Sequence, residues 1–135
     1  MSEEDTRKIY LSREGSSAEA KVRDFELLVD ELIEKGGTNR GPRPTEYLLI
    51  ALAGCYTATF VRIAEKRRQH IERIECTAIE YINKEENRLT KAELSLVVYS
   101  SMSDEELSII NRLAEKSCTV KNSLNAEVTT SVVRA

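Results

Sequence analysis

Cysteines are the residues of this chain best suited to chemistry, and two of them lie in unlike helical settings. Cys55 falls in Pro44-Thr-Glu-Tyr-Leu-Leu-Ile-Ala-Leu-Ala-Gly-Cys55-Tyr, an almost unbroken apolar stretch. Cys118 follows an amphipathic segment, in Leu113-Ala-Glu-Lys-Ser-Cys118-Thr-Val. A thiol in an apolar wall, with a second thiol at the end of another helix, is what two-cysteine peroxide chemistry requires. A helical cysteine is more often a small hydrophobe than a reactive group. Two features distinguish Cys55. Its neighbours Ala51, Gly54 and Ala58 leave space beside the sulfur for a substrate or a close-packed helix, and Arg62 falls near its face of the helix, about 10 Å along the axis. Cys76 alternates with Ile74 and Ala78 in a strand-like run and reads as a core residue.

The elements that must hold these thiols follow from pattern and punctuation. Residues 8–12 and 20–29 alternate apolar with polar residues and flank a turn-like Arg13-Glu-Gly15-Ser-Ser, so together they predict a hairpin. Gly36-Gly-Thr-Asn-Arg-Gly-Pro-Arg-Pro44 is the clearest loop. Pro44 suits the first helical position, and Glu46 falls in the positive first turn. From 47 to 64 the helix is apolar nearly all round, the mark of a buried central helix. It becomes solvated at Glu65-Lys-Arg-Arg-Gln-His70, where His70 has an exposed, helix-ending place and the basic run is a solvated face. Residues 74–82 and 91–101 read as strands joined by a turn at 83–88. Ser103-Asp-Glu-Glu106 is a capping box that opens an amphipathic helix to about Ser117, with Leu107, Ile110, Leu113 and Ala114 as its apolar stripe. A last strand is expected over 126–133. The order ββ-α-ββ-α-β, without a repeated βαβ unit, predicts an α+β fold with a mostly antiparallel sheet.

With 135 residues, 41% of them apolar and 32% charged, the chain fits one domain over residues 1–135. A net charge of −3 gives no reason to expect nucleic acid or an anionic membrane as partner. The apolar run near Cys55 reads as too short and mixed for a membrane span. The acidic start, Met-Ser-Glu-Glu-Asp, does not resemble a secretory or transit signal. Three widely spaced cysteines do not form a secreted disulfide framework, so a cytoplasmic location is expected. One histidine and distant cysteines make zinc binding by Cys55, Cys76, Cys118 and His70 the weaker reading. No cofactor is expected.

The segments around Cys55 and Cys118, together with Arg13-Glu-Gly15 at the first hairpin, resemble the osmotically inducible protein C and organic hydroperoxide resistance (OsmC/Ohr) family over essentially the whole chain. The resemblance implies an intertwined homodimer with a site built from both subunits, and reduction of organic hydroperoxides to alcohols. Cys55 would be the peroxidatic thiolate, oxidised to a sulfenic acid that Cys118 condenses with to give a disulfide, which a dithiol reductant then resets. Arg13 would lower the pKa of Cys55 and stabilise the leaving oxygen, with Glu46 holding the arginine. Arg23 is the rival arginine. Leu52 and Phe60 would help to form a pocket for bulky or fatty peroxides.

The sequence departs from the family's peroxidase members in three places. Thr45 stands where those members commonly carry a carboxylate, so that Glu46 is displaced by one position. Thr119-Val120 follows the second cysteine in place of Cys-Pro, and the glycine-rich loop before the helix is short. These departures keep open a non-enzymatic protein that binds an apolar small molecule, and a redox sensor that changes partner with disulfide state.

Overall fold

A computed structural model describes residues 4–135 and resolves the chain into two compact units, divided between Tyr47 and Leu48. The first three residues of the acidic N-terminal segment lie outside the described residues. In the first unit, β1 (Tyr10–Glu14), β2 (Ser17–Val22) and β3 (Phe25–Val29) form an antiparallel meander in that order. The expected hairpin is there, but its second arm is two strands. Residues 20–29 break at Arg23-Asp24, where Arg23 adopts φ 51° and lets Val22 pair with Phe25. The first turn is also tighter than expected. Gly15, at φ 63°, closes a two-residue loop that pairs Glu14 with Ser17, so Arg13 belongs to β1 rather than to the turn.

The loop after β3 is pinned by one carboxylate. Asp30 is buried, and its oxygens accept from the backbone N–H of Glu31 (2.7 Å), Thr38 (3.3 Å) and Arg40 (3.0 Å) and from the Thr38 hydroxyl (2.5 Å). The backbone N–H of Asp30 donates to Pro42 O at 3.1 Å. A side chain at Gly37 would meet Glu31 O at 2.0 Å, so the close approach of these two segments requires glycine there.

Helix α1 (Pro44–Lys66) begins in the first unit and continues into the second. It starts at Pro44, as the sequence predicts, and ends where the chain becomes charged. By length and composition alone, with a mean hydropathy of 1.6 over an 18-residue window, it is long and apolar enough to cross a membrane, a test that a buried core helix also passes. One side is nevertheless enclosed in protein: Leu52, Tyr56, Thr59, Phe60 and Ala64 are buried. The opposite side, with Ile50, Ala51, Gly54 and Ala58, is exposed in the single chain.

In the second unit, β4 (Arg73–Asn83) pairs antiparallel with β5 (Arg88–Tyr99), and β6 (Glu127–Arg134) pairs with β5 in parallel. A parallel neighbour needs a crossover, which α2 (Asp104–Ser117) and the short α3 (Thr119–Ser123) provide. Ser103 caps α2 as its sequence predicts, its hydroxyl oxygen accepting from Glu106 N at 3.1 Å. The core forms where β5, buried at Ala92, Leu94, Leu96 and Val98, meets α1 and the Leu107, Ile110 and Ala114 stripe of α2. Leu113, assigned to that stripe from the sequence, is instead 38% exposed.

The Thr38 hydroxyl opposes burial and, with the Glu31, Arg40 and Thr38 N–H groups, holds the Asp30 carboxyl well below the usual carboxylate range. Below about pH 4 the unfolded chain takes up a proton that the folded chain refuses, so stability falls as pH falls. Asp30→Asn should flatten that acid limb in chemical denaturation followed from pH 3 to 7. An unchanged limb would mean that Asp30 does not set it.

A thiol pair as candidate active site

The second unit brings Cys55 and Cys118 together. Cys55 sits in α1 at the margin between its two sides. Leu52, Tyr56 and Thr59 lie buried on one flank, while Ala51, Gly54 and Ala58 lie exposed on the other. The residue is accordingly half-buried, beside a row of small side chains. Cys118 is fully buried where α2 ends and α3 begins, and its backbone N–H closes the last turn of α2 on Ala114 O at 3.0 Å.

Cys55 and Cys118 are near enough to shift each other's acidity, and their surroundings drive the two thiols apart. Burial pushes the Cys55 thiol up. The backbone N–H of Val120, the Cys118 thiol, the backbone N–H of Thr119 and the Thr59 hydroxyl outweigh it, and the pKa of Cys55 falls below that of an ordinary thiol. Burial also raises Cys118. The backbone N–H of Lys121 opposes this, but neighbouring Cys55 adds to it, and the Cys118 thiol ends less acidic than an ordinary one. The pair is thus unequal, Cys55 being the more acidic thiol and Cys118 the less acidic. Thr59 Oγ1 also bonds Cys55 O at 2.8 Å, which keeps its hydroxyl beside the sulfur's own turn of helix. Directly after Cys55, the hydroxyl of the buried Tyr56 donates a hydrogen bond to Asn111 Oδ1.

The other residues singled out in the sequence are placed differently. Arg13 is exposed on β1 and donates to Ser16 O at 2.7 Å. Glu46 is exposed at the start of α1 and accepts from Arg43 N at 2.8 Å, capping its own helix. Among the described residues neither an ion pair nor a hydrogen bond joins Arg13 to Glu46. Arg23 stacks on Phe25, its guanidinium 4.9 Å from the ring centroid. Leu52 and Phe60 do not line an open pocket, as expected from the sequence, but are 1% and 0% exposed in the core. Arg62 lies on the exposed side of α1, and His70 is exposed beyond the end of that helix. Cys76 is on the inner face of β4 opposite Leu96, where burial pushes its thiol up. Among the described residues no three His, Cys, Asp or Glu side chains converge, so the four-ligand alternative is not assembled.

Sequence reasoning missed the donors. Backbone N–H groups at Thr119 and Val120 carry no residue signature. Thr59, a hydroxyl four positions after Cys55 in an apolar helix, was the one visible signal.

A pair of neighbouring cysteines on an α+β scaffold, one of them carried by a long central helix, is what the second unit presents. A sequence profile of the OsmC-like protein family matches residues 37–133, and the chain belongs to that family. No curated protein sequence matches it. Solved structures that share its fold include an OsmC-like protein from Mycoplasma pneumoniae, at 20% identity and TM-score 0.88, covering 98% of this chain and 99% of the other. An OsmC-like protein of unknown function from Vibrio cholerae has 18% identity and TM-score 0.85, covering 96% and 100%. An organic hydroperoxide resistance protein from Elizabethkingia anophelis has 18% identity and TM-score 0.82, covering all of both chains.

Iodoacetamide reacts with thiolates, so alkylation of Cys55 should rise with pH through a midpoint below that of a free thiol and outpace Cys76 and Cys118 at pH 7. Removing one donor with Cys118→Ala should move the Cys55 midpoint up by about one unit. An unmoved midpoint, read by peptide mass spectrometry, would show that Cys118 does not donate to Cys55.

Proposed function

We propose that this protein is a cysteine-based peroxidase that reduces organic hydroperoxides to alcohols. The observation that carries the proposal is the unequal pair: two neighbouring thiols, with Cys55 made more acidic and Cys118 less acidic than an ordinary thiol. In this reading the Cys55 thiolate attacks the distal peroxide oxygen and the O–O bond breaks. The alkoxide leaves with a proton as the alcohol, and Cys55 becomes a sulfenic acid. Cys118 then attacks the Cys55 sulfur. The S–O bond breaks, the hydroxyl departs with the Cys118 proton as water, and a disulfide forms. A dithiol reductant resets the pair by exchange.

The small residues beside Cys55 support entry of a bulky substrate on that flank. Exposed Ile50, Tyr10 and Phe25, at 60%, 63% and 56%, support assembly as a homodimer that covers them. In that dimer we assign Arg13 to the thiolate and the leaving oxygen, with Glu46 orienting it. Both free cysteines of the pair suit the reducing cytoplasm. One observation favours the non-enzymatic reading, in which an apolar molecule is bound without turnover: Arg13 and Glu46 are each engaged with their own neighbours, Ser16 and Arg43.

Steady-state assays with cumene hydroperoxide and a dithiol separate the two. Cys55→Ser should abolish turnover, and Cys118→Ser should consume about one equivalent and stall. Arg13→Gln should lower the rate by about 10²-fold, the usual cost of losing one charge-stabilising donor, while Arg23→Gln leaves it unchanged. Normal turnover by Cys55→Ser would sink the peroxidase reading. Equal losses in the two arginine variants would remove the particular role of Arg13.

A further inference from the structure

A polar cluster behind the thiol pair has no part in the steps above. Tyr56, adjacent to Cys55 on α1, is fully buried yet carries a hydroxyl. That hydroxyl donates to Asn111 Oδ1 and lies 3.2 Å from Asn111 O, on α2. Asn111 Nδ2 donates onward to Glu115 Oε1 at 3.2 Å and to Thr130 Oγ1 at 3.1 Å, and the Thr130 hydroxyl donates to Glu115 Oε1 at 2.7 Å. The four side chains tie three elements together. Tyr56 follows one redox cysteine directly, Glu115 precedes the other by less than one turn of the same helix, and Thr130 anchors both to β6. Burial, offset in part by the Thr130 hydroxyl and reinforced by the nearby Glu115 charge, pushes the Tyr56 phenol up, so it stays a donor.

Polar groups in such a place cost stability unless every member is satisfied. A leucine-and-phenylalanine contact would pack α1 on α2 at lower cost, but it would leave helix rotation and sliding less sharply defined. Hydrogen bonds fix both, and disulfide geometry tolerates little error in either.

We propose that the Tyr56–Asn111–Glu115–Thr130 network is the device that holds the Cys118 end of α2 in register with Cys55, and so sets the effective concentration of the two thiols for disulfide formation. Tyr56, Asn111 and Thr130 are positioning residues acting through Cys55 and Cys118. The inference rests on the proposed two-cysteine reading, but it concerns the equilibrium between the pair and its disulfide. That equilibrium is measurable without any peroxide.

The test is equilibration of the full chain in oxidised and reduced dithiothreitol buffers, with the Cys55–Cys118 disulfide quantified by acid quench, alkylation and mass spectrometry. Tyr56→Phe and Thr130→Val each remove one hydroxyl and preserve shape, so that one variant serves if the other fails to fold. Each should lower the equilibrium constant for disulfide formation by about tenfold, since small misplacements of paired groups forfeit effective molarity. For a two-electron couple that moves the midpoint by about 30 mV to less negative potential. Thr57→Val removes a hydroxyl bonded only within α1, to Ala53 O and Gly54 O, and should leave the midpoint unchanged. Wild-type potentials in folded Tyr56→Phe or Thr130→Val, or an equal shift in Thr57→Val, would overturn the proposal. So would failure of the wild type to form the disulfide at all. A wild type that forms the disulfide but does not consume hydroperoxide would end the peroxidase reading while leaving the network tested by the potentials.

Discussion

A sulfur can carry negative charge inside a protein wall only if donors replace the water it has lost. The candidate site turns on how that demand is met at Cys55. Burial alone acts against the thiolate there, and the backbone of Thr119 and Val120, the Thr59 hydroxyl and the Cys118 thiol reverse the outcome. Three of those four donors come from one short stretch after α2. The acidity of Cys55 is therefore a property of how two distant parts of the second unit meet, rather than of the helix that bears it. The same contact makes the pair unequal, because proximity to Cys55 adds to burial in raising the pKa of Cys118.

That contact exists because of topology. β6 lies parallel to β5, which obliges the chain to cross the sheet between them, and α2 and α3 are that crossing. The apolar stripe of α2 seats it on the same core as α1, so the end of one helix meets the middle of the other. A core of Leu94, Leu96, Phe60 and Ile110 supplies the cohesion. Apolar burial is non-directional, however, and does not by itself fix how far one helix slides along another. Directional polar groups such as Asn111 can.

Much of the architecture was legible in the residues. The span of α1 followed from Pro44 and an apolar run, and the start of α2 followed from the Ser103 capping box. Both thiols stood out through their settings. What could not be read was register and direction. Arg23-Asp24 lacks the glycine or proline that advertises a turn, so β2 and β3 read as one strand. The parallel pairing of β6 depends on the crossing, which strand periodicity does not encode. Asn111 and Thr130 look like ordinary polar positions until the fold places them against Tyr56. Leu52 and Phe60 were apolar residues close to the thiol in sequence, but a helix turns by about 100° per residue, and both face the core.

The central claim is that Cys55 and Cys118 form one reactive unit with Cys55 as the nucleophile. It is tested most directly by adding one equivalent of cumene hydroperoxide to the reduced protein and mapping the product by non-reducing peptide mass spectrometry. Complete loss of the hydroperoxide with a Cys55–Cys118 crosslink, and with Cys76 still free, is the result the account predicts. Intact hydroperoxide beside three free thiols would contradict it, as would a product in which Cys55 remains reduced while another cysteine is oxidised.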